Sequence, residues 1–459
     1  MASKKQKSPK AQDLTMTVES GWKGLKKKDE KLLHAFCEDY RQFLSVAKTE
    51  REANDQGVEL CKSQGFKDFS KAIASGKQLK PGEKYYYSIA GKTLLAFVIG
   101  KKPIIEGMRL VGGHTDSPRL DLKPRPLFED GGMALLDTHY YGGVKKYQWV
   151  TLPLAMHGVV VKKDGSKTSI VIGEDPADPV FVITDLLPHL GKDQANKKLS
   201  EAITGEGLDV VIGSVPIADD EAKDAIKLHM LQLLHEKYGM DEADFTSAEI
   251  SLVPAGQARN LGLDNSMILG YGHDDRVCAY TALRGLTDLQ DTPDHTSLAL
   301  LCDKEEIGSV GSTGMYTFLF ENAVAEIINL LPHDGNADLT LRRCLRNSKM
   351  LSADVNALHD PNFKEVSSPN GNMGMLNHGI ILTKYVGSRG KSGSNDAHAE
   401  FMAEVRKIWD DAEVSWQVGE IGKVDQGGGG TISFMMARYE MDVVDCGPGL
   451  LSMHAPWEA

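Results

Sequence analysis

Two adjacent glutamates, Glu305 and Glu306, end an apolar run in the stretch ALLCDKEEIGS at residues 299–309. The run has the composition of a buried strand, and a Gly-Ser turn follows the glutamates. Like charges repel, and neighbouring side chains on a strand point to opposite faces. Two carboxylates at the end of such a strand are therefore expected to serve two separate purposes, or none.

Further imidazole and carboxylate groups recur where other apolar runs end. They are His114 and Asp116 in GGHTDSP, Asp274 and Asp275 in GHDDRV, Asp354 in LSADVN, and His454 in LSMHAP. Open α/β sheets place ligand sites at the carboxyl ends of strands, and imidazole with carboxylate is the ligand set of zinc and its first-row neighbours. The pattern predicts two divalent metal ions that share a bridging carboxylate. Within His-x-Asp, Asp116 is expected to hold the second ring nitrogen of His114.

Each motif alone has a simpler interpretation. A lone histidine is more often an ordinary surface or core residue, a Glu-Glu pair is usually solvated, and Asp-Asp before a helix is usually an N-cap. The ordered series His-x-Asp, Asp-Asp, Glu-Glu, Asp and His, each after an apolar run, favours a metal centre over these alternatives.

The elements that must position these groups alternate between strands and helices after residue 250. This alternation predicts an α/β sheet with helices on both faces. Between residues 126 and 250, short strands separated by turn signals precede one helical stretch, and candidate catalytic groups are few. We therefore predict a catalytic domain at 28–125 and 251–459, interrupted by a β-rich inserted domain at 126–250. Residues 1–27 are predicted to be a disordered basic tail.

The composition excludes several classes of protein. The net charge of -12 argues against nucleic acid as a partner. No apolar run approaches the about 18 residues of a membrane span, so no membrane partner is expected. The N-terminus lacks the apolar segment of a secretory signal, and the cysteines form no Cys-x-x-Cys pair. These features are typical of a cytoplasmic protein with reduced thiols.

The local wording of the motifs resembles the aspartyl aminopeptidase and aminopeptidase I family of co-catalytic zinc metallopeptidases. The similarity runs from about residue 28 to the end, through GGHTDSPRL, CDKEEIGSVGSTG, LSADVNAL, NHGIILTKY and LLSMHAPWE. The resemblance implies a mixed central sheet flanked by helices, with an inserted dimerisation domain. It also implies dimers that pack further into a tetrahedral dodecamer, and two zinc ions per subunit, with cobalt or manganese as alternatives.

The resemblance implies a role for each motif residue. His114 and Asp354 would hold one metal, Glu306 and His454 the other, Asp274 would bridge them, Asp275 would support the bridge, and Glu305 would be the general base. Under this assignment the two glutamates of the opening stretch do have separate tasks. One binds metal, and its neighbour takes a proton from water and passes it to the leaving amine.

Three further sites follow from the resemblance alone. Family members use a histidine from a neighbouring subunit, and VITDLLPHLGK nominates His189. Members that cleave acidic residues carry a lysine near the site, and Lys384 occupies the matching place. The loop VDQGGGGTI nominates Gly428 and Gly429 for close approach of substrate. A turn histidine, a strand-edge lysine and a flexible connector remain the respective alternatives.

The leading hypothesis is a metal-dependent aminopeptidase that hydrolyses N-terminal residues from peptides, with acidic residues as one candidate class. A deacylase or carboxypeptidase on the same fold is the second hypothesis, but the inserted block shows no clear arginine-rich carboxylate clamp. A non-catalytic assembly or cargo protein is the third, and it would be favoured only if ligands were missing.

Overall fold

The computed structural model describes residues 14–219, 222–332, 335–368, 370–386 and 388–459. The predicted tail at 1–27 lies outside the described residues as far as residue 13, and the first helix begins at Lys27. No helix in these described ranges is both long and apolar enough to cross a membrane.

The helices and strands of the described chain are numbered here in chain order. The α-helices are α1 (Lys27–Val46), α2 (Glu50–Ser63), α3 (Phe69–Ser75), α4 (Lys192–Ala195), α5 (Leu199–Ala202), α6 (Ala225–Tyr238), α7 (His273–Thr287), α8 (Leu319–Asn329), α9 (Ala337–Arg346), α10 (Ser388–Lys391), α11 (Ala399–Asp411) and α12 (Ser433–Ala437). The strands are β1 (Lys67–Asp68), β2 (Lys84–Ile89), β3 (Thr93–Val98), β4 (Arg109–His114), β5 (Arg119–Asp130), β6 (Met133–Tyr141), β7 (Leu154–Val161), β8 (Lys167–Ile172), β9 (Val210–Gly213), β10 (Ala248–Pro254), β11 (Arg259–Leu261), β12 (Met267–Leu269), β13 (Ser297–Cys302), β14 (Lys349–Ala353), β15 (Asn356–Ala357), β16 (Ile380–Thr383), β17 (Trp416–Val418), β18 (Asp442–Gly447) and β19 (Gly449–Leu450).

Nine strands form a mixed sheet in the order β1-β2-β3-β13-β4-β14-β18-β16-β17. The four central strands β13, β4, β14 and β18 are parallel, whereas β3 and β16 run antiparallel to their central neighbours. Leu298 and Leu300 of β13 pack into one core, and Ala299 and Leu301 pack into another. Burial on both faces explains why this strand reads as a continuous apolar run. The predicted mixed α/β fold is confirmed.

Helices cover both faces of this sheet. One core is built from the sheet with α3, α8, α9 and α12, and the core on the other face is built with α2 and α7. Phe320 and Ile327 of α8 are completely buried in the first core. Burying a large apolar side chain stabilises the fold by about 1.5–3 kcal/mol, so these helices hold the sheet in place.

A second, six-stranded antiparallel sheet has the order β8-β7-β10-β5-β6-β9 and its own apolar core. It extends from Arg119 to Pro254, a wider range than the 126–250 predicted for the inserted block. The difference arises because β5 is one continuous strand that starts directly after the GGHTDSP motif. Its irregularity lies in the register between Leu122 and Leu127, where the sequence carries Pro124 and Pro126 but the strand continues.

Charged side chains, most of them buried, join the second sheet to α2, which packs on the first sheet, and we call these groups the inter-sheet ion clusters. In the first cluster Glu50 lies 3.1 Å from Arg119 and 3.5 Å from Lys92, and Lys92 lies 2.9 Å from Glu249. Glu50 and Arg119 meet as charges without hydrogen-bond geometry. Burial opposes ionisation of Glu50, but the charges of Arg119 and Lys92 lower its pKa. Each carboxylate in this cluster therefore has a cation.

The second cluster surrounds His157 of β7. Its Nδ1 lies 2.8 Å from Glu52 and its Nε2 lies 3.0 Å from Glu174. Lys48 is 1% exposed and lies 3.6 Å from Glu174. Burial opposes protonation of His157, but the two glutamates raise its pKa, and His157 and Lys48 in turn lower the pKa of Glu174 against the effect of burial.

Candidate active site

The predicted ligands converge at one edge of the nine-stranded sheet. His114 is the last residue of β4 and lies in register with Cys302, the last residue of β13. Glu305 and Glu306 form a 3-10 turn just beyond β13, and Asp354 follows β14 directly. Because these strands are parallel, their carboxyl ends lie side by side and bring the three segments together.

Asp274 lies between the two imidazoles. Its Oδ1 is 3.2 Å from His114 Nε2, and its Oδ2 is 3.1 Å from His454 Nε2. Asp274 and Asp275 have non-helical dihedral angles at the start of α7, whose N-cap is Gly272. The Asp-Asp pair is thus not an N-cap, and one carboxylate oxygen of Asp274 faces each histidine.

The remaining ligand candidates surround this trio. Asp354 Oδ1 and Glu305 Oε2 lie 3.9 Å and 3.8 Å from His114 Nε2, and Glu306 Oε1 lies 3.5 Å from His454 Nε2. Two sets of ligand atoms come within 4.8 Å of one another: His114 with Asp275 and Asp354, and His114 with Asp274 and Glu306. The second set differs from the predicted division, in which Glu306 pairs with His454.

Asp116 makes different contacts from those the sequence suggested. His114 Nδ1 lies 2.9 Å from the main-chain oxygen of Asp116 and 3.4 Å from its carboxylate. The carboxylate instead accepts the backbone N–H groups of Glu305 and Glu306, both at 3.1 Å. Burial opposes its ionisation, but the contact with His114 lowers its pKa. Asp116 therefore orients the imidazole mainly through its backbone and fixes the two glutamates through its side chain.

Asp275 supports His114 from the other side, because its Oδ2 accepts the His114 backbone N–H at 3.1 Å. Its Oδ1 is buried and has no hydrogen-bond partner within the described chain, and the same is true of Glu306 Oε1. Buried polar atoms are almost always satisfied. Two orphaned carboxylate oxygens beside imidazole nitrogens therefore fit a site that takes cations, and this donor set suits zinc.

The pKa values of the groups at this edge of the sheet also indicate a site that takes cations. Burial raises the pKa of Glu305 to about 7 and raises the pKa values of Glu306 and Asp354 well above their usual range. Burial opposes protonation of His454, but Asp274 and Glu306 raise its pKa to about 10. Carboxylates outnumber the imidazoles, so bound cations would relieve this excess of negative charge.

Glu458 is a structural residue of the site that sequence reasoning missed. It is 1% exposed, and burial raises its pKa to about 8. Its Oε2 accepts the backbone N–H of Asp274 at 3.1 Å, and its Oε1 accepts that of His454 at 2.7 Å. One carboxylate thus holds two predicted ligands that are far apart in sequence. A glutamate four residues after a histidine carries no recognisable signal for this contact.

The second sheet also contributes to the site, through Tyr141, Gly142 and Gly143 at the end of β6. The Tyr141 hydroxyl donates to Asp116 Oδ2 at 2.8 Å. A Cβ on Gly142, whose φ is +73°, would lie 3.2 Å from the Glu306 side chain, and one on Gly143 would lie 3.1 Å from the His454 ring. The Gly-Gly pair was the available signal, because it permits such close approach of the backbone.

His189 and Lys384 are not in contact with these groups. His189 lies in an exposed turn before α4. Lys384 is exposed just after β16, a strand that runs antiparallel to β18 and pairs Ile381 with Gly447 and Thr383 with Asp445. Asp354 donates its N–H to Cys446, so the chain at Lys384 is already heading away from the ligand edge.

The four-glycine loop divides into two kinds of position. A Cβ on Gly427 would lie 2.4 Å from the Ile421 carbonyl, and one on Gly430 would lie 2.1 Å from the Gly393 carbonyl. Gly428 has ordinary space against the Ile421 side chain, and a Cβ on Gly429 would meet none of the described residues within 4 Å. The outer glycines are therefore required by packing, and the predicted pair Gly428 and Gly429 is not.

Comparison with known proteins assigns the family. Residues 43–459 match the family described as aminopeptidase I zinc metalloprotease (M18). A probable M18 family aminopeptidase 1 from Clostridium acetobutylicum is 48% identical over 447 residues, which cover 97% of this chain and 95% of the relative. The crystal structure of an M18 aminopeptidase from Thermotoga maritima superposes with a TM-score of 0.90 at 42% identity, covering 97% of this chain and 95% of that one.

A more distant structure, described as an Ape1 dodecamer from S. cerevisiae, is 22% identical with a TM-score of 0.73, covering 93% of this chain and 92% of that one. At that identity it shows a shared fold alone. The match over most of the chain and the close relative carry the assignment: this chain belongs to the M18 family of aminopeptidase I zinc metalloproteases.

Proposed function

We propose that this aminopeptidase works with two metal ions and that Glu305 is its general base. The observation that carries the proposal is the position of Asp274, with one carboxylate oxygen 3.2 Å from the His114 imidazole and the other 3.1 Å from the His454 imidazole. A carboxylate placed in this way suits a ligand shared by two ions. His114 and Asp354 would hold one ion, Glu306 and His454 would hold the other, and Asp275 would support the bridging Asp274.

Zinc bound in such a site supplies Lewis acidity that polarises a peptide carbonyl and makes water more acidic. The chain itself supplies the proton transfer. Glu305 lies beside His114 with its carboxylate 18% exposed, so water can reach it. Its carboxylate would take a proton from that water and give it to the leaving amine of the substrate. Asp116 holds the Glu305 backbone and so limits where the base can point.

The proposal is tested by Glu305→Gln, with Glu306→Gln as the matched control. Glu305→Gln removes proton transfer but keeps the shape of the side chain, so kcat should fall by about 10²–10⁴-fold with metal content unchanged. Glu306→Gln should instead lower metal content. An activity assay with aminoacyl-anilides, paired with elemental analysis, reads both outcomes. Near-normal kcat in Glu305→Gln, or loss of its metal, would refute the assigned roles.

The preference for acidic N-terminal residues is a separate proposal that rests on Lys384. Its ammonium would pair with a substrate carboxylate, although the strand direction places its backbone away from the ligand edge. Asp- and Glu-anilides should then be cleaved best, and Lys384→Ala should erase the preference. A wild-type preference for Leu- or Met-anilides would remove this proposal and leave the aminopeptidase mechanism intact. The same substrate panel, run with zinc, cobalt and manganese, identifies the preferred metal.

Gly428 and Gly429 are proposed to lie along bound substrate. A Cβ at Gly429 meets no atom of the described residues within 4 Å, so Gly429→Ala should not lower the melting temperature. It should raise KM, because the added methyl group would contact the bound substrate. Gly430→Ala is the control, because its Cβ would clash with the Gly393 carbonyl and should destabilise the fold. An unchanged KM in Gly429→Ala would show that substrate does not pass this loop.

We further propose that the second sheet mediates self-association, through dimers to a tetrahedral dodecamer, and that His189 completes a neighbouring subunit's site. The exposed His189 turn and apolar side chains near it, Leu186, Leu187 and Leu190 at 50–66% exposure, suit such a contact. His189→Ala should lower kcat by about 10²–10³-fold, the usual cost of losing one stabilising donor. Subunits carrying His189→Ala, reassembled with Glu305→Gln subunits, should regain activity. No gain after confirmed subunit exchange would place His189 outside a neighbour's site.

A cytoplasmic location is likewise a proposal. It rests on six free cysteines, five of them buried, which is common for proteins of reducing compartments. Cell fractionation of the expressed protein tests it.

A further inference from the structure

Tyr141 connects the second sheet to the glutamates of the candidate active site. Tyr141 belongs to the second sheet, yet its hydroxyl donates a 2.8 Å hydrogen bond to Asp116. Asp116 is completely buried and in turn accepts the backbone N–H groups of Glu305 and Glu306. A single hydroxyl from one sheet is thus two hydrogen bonds away from both functional glutamates of the other sheet.

Tyr141 is itself held rigidly. The Arg119 guanidinium lies 4.0 Å from the centre of its ring, a cation–π distance. Arg119 is fixed by Asp121 at 2.8 Å and by Glu50 at 3.1 Å. Glu50 belongs to α2, so the tyrosine is anchored to both parts of the molecule. Burial raises the pKa of Tyr141 above its ordinary value, and the hydroxyl remains a donor at neutral pH.

The two residues after Tyr141 show how tightly this strand end packs on the site. Gly142 and Gly143 lie against Glu306 and His454. A Cβ on Gly142 would lie 3.2 Å from the Glu306 side chain, and one on Gly143 would lie 3.1 Å from the His454 ring. The backbone of the strand end is therefore a wall of the candidate site. The Tyr141–Asp116 hydrogen bond connects this strand end to the backbone of both glutamates.

We propose that Tyr141 is a positioning residue for catalysis: through Asp116 it sets the backbone orientation of Glu305 and Glu306. This inference rests on the proposed role of Glu305 as general base. A fully buried carboxylate that orients two other groups loses directional constraint when one of its donors is removed. The consequence should appear in the rate of the chemical step, because the Tyr141 hydroxyl acts through Asp116 on the backbone of the proposed base.

The test uses Tyr141→Phe, which keeps the ring under Arg119 and deletes one hydroxyl. Tyr140→Phe is the matched control, because Tyr140 is the preceding residue of β6 and is 42% exposed. We expect Tyr141→Phe to lower kcat about tenfold, the lower end of what loss of an outer hydrogen-bond partner costs. KM and metal content should stay within twofold of wild type, and Tyr140→Phe should match wild type throughout.

A second measurement separates positioning from a merely structural role. In an Asp116→Asn background the carboxylate that receives the hydroxyl is already altered, so adding Tyr141→Phe should cost much less than tenfold. Equal losses in the two backgrounds would overturn the proposal, as would equal kcat values for Tyr141→Phe and Tyr140→Phe. A fall in metal content that parallels kcat would also overturn it. If Glu305→Gln remains active, the proposed base is wrong; if Glu305→Gln is inactive and Tyr141→Phe is normal, only the positioning role fails.

Discussion

The candidate active site and the inter-sheet ion clusters both bury several charged side chains, yet they differ in balance. In the ion clusters the buried Glu50, the largely buried Glu174 and the half-exposed Glu249 each face a cation, and each has a lowered pKa. In the site, burial outweighs the neighbouring imidazoles at Glu305 and Glu306 and raises the pKa values of both carboxyls. A buried ion cluster that neutralises itself can be purely structural, whereas one with surplus carboxylates requires cations from outside.

The largest effect is expected at Asp274, the carboxylate between the two imidazoles of the candidate site. Asp274→Ala should deplete metal at both proposed positions, because this carboxylate faces both imidazoles. Activity should fall well beyond the about 10–100-fold that loss of an outer partner costs. Elemental analysis with an anilide assay measures both. Asp288→Ala, an exposed aspartate at the end of the same helix, is the control; two ions retained per chain in Asp274→Ala would contradict the comparison.

Metal removal should expose the charge imbalance as a pH dependence of stability. In chelated protein, Glu305 and Glu458 have pKa values raised to about 7 and about 8. A group whose pKa is raised in the folded state stabilises the fold at low pH. This stabilisation is lost as the pH rises through the folded-state pKa. The melting temperature of the chelated protein should therefore fall between about pH 5 and pH 8, from just above the ordinary glutamate pKa to the raised values.

Zinc should reverse this fall. A ligand present at about 1,000 times its dissociation constant stabilises by about 4 kcal/mol, and the gain should grow with pH because carboxylates deprotonate before binding. Thermal melts at several pH values, with and without zinc, provide the measurement. A zinc-induced shift in melting temperature that stays constant across this range would count against an excess of site carboxylates.

In the inter-sheet ion clusters, removing a carboxylate should lower stability without changing metal binding. Glu174→Gln leaves Lys48 and His157 with one carboxylate fewer, and removing one partner of a buried pair costs about 3–5 kcal/mol. Because the Glu174 side chain is 18% exposed, we expect about 3 kcal/mol from chemical denaturation. Metal content and KM should not change. Loss of metal in this variant would show that the cluster is not independent of the site.

The smallest effect concerns His157. Its pKa is raised by Glu174 and Glu52 against the effect of burial. The stabilisation that it contributes is therefore complete below about pH 6.5, the ordinary histidine pKa, and is lost as the pH rises through its raised folded-state pKa. His157→Gln should reduce the difference in unfolding free energy between pH 6 and pH 9. Denaturation curves at both pH values test this, and an unchanged difference would assign that pH dependence to other groups.

The sequence was most informative where the signal is periodic or local. The apolar run of β13, buried on both faces, and the chain alternation after residue 250 predicted the mixed α/β fold. Parallel strands end at one edge, so residues after them, such as His114 and Asp354, could be expected to meet. Their assigned roles stay predictions, as does the oligomerisation role of the second sheet.

Contacts set by tertiary packing were beyond reach from sequence. Tyr141 reaches Asp116 because two sheets pack together, and Glu458 reaches Asp274 across 184 residues of chain. Neither contact leaves a period or a spacing in the sequence. The second sheet begins at Arg119 rather than near residue 126, because β5 starts directly after the GGHTDSP motif and continues past two prolines.

The parallel register of β4 against β13 has a consequence for folding. His114 pairs with Cys302 in that register, and a slip of one residue would turn every side chain of β4 to the opposite face. A slipped sheet would present no imidazole to Asp274, and it would bring a side chain to the position of Gly112 or Gly113, where a Cβ would lie 2.9 Å from the Met350 side chain or 2.5 Å from Asp275 Oδ2. Metal uptake during refolding would then report strand register directly, because only the aligned sheet brings the His114 imidazole to Asp274.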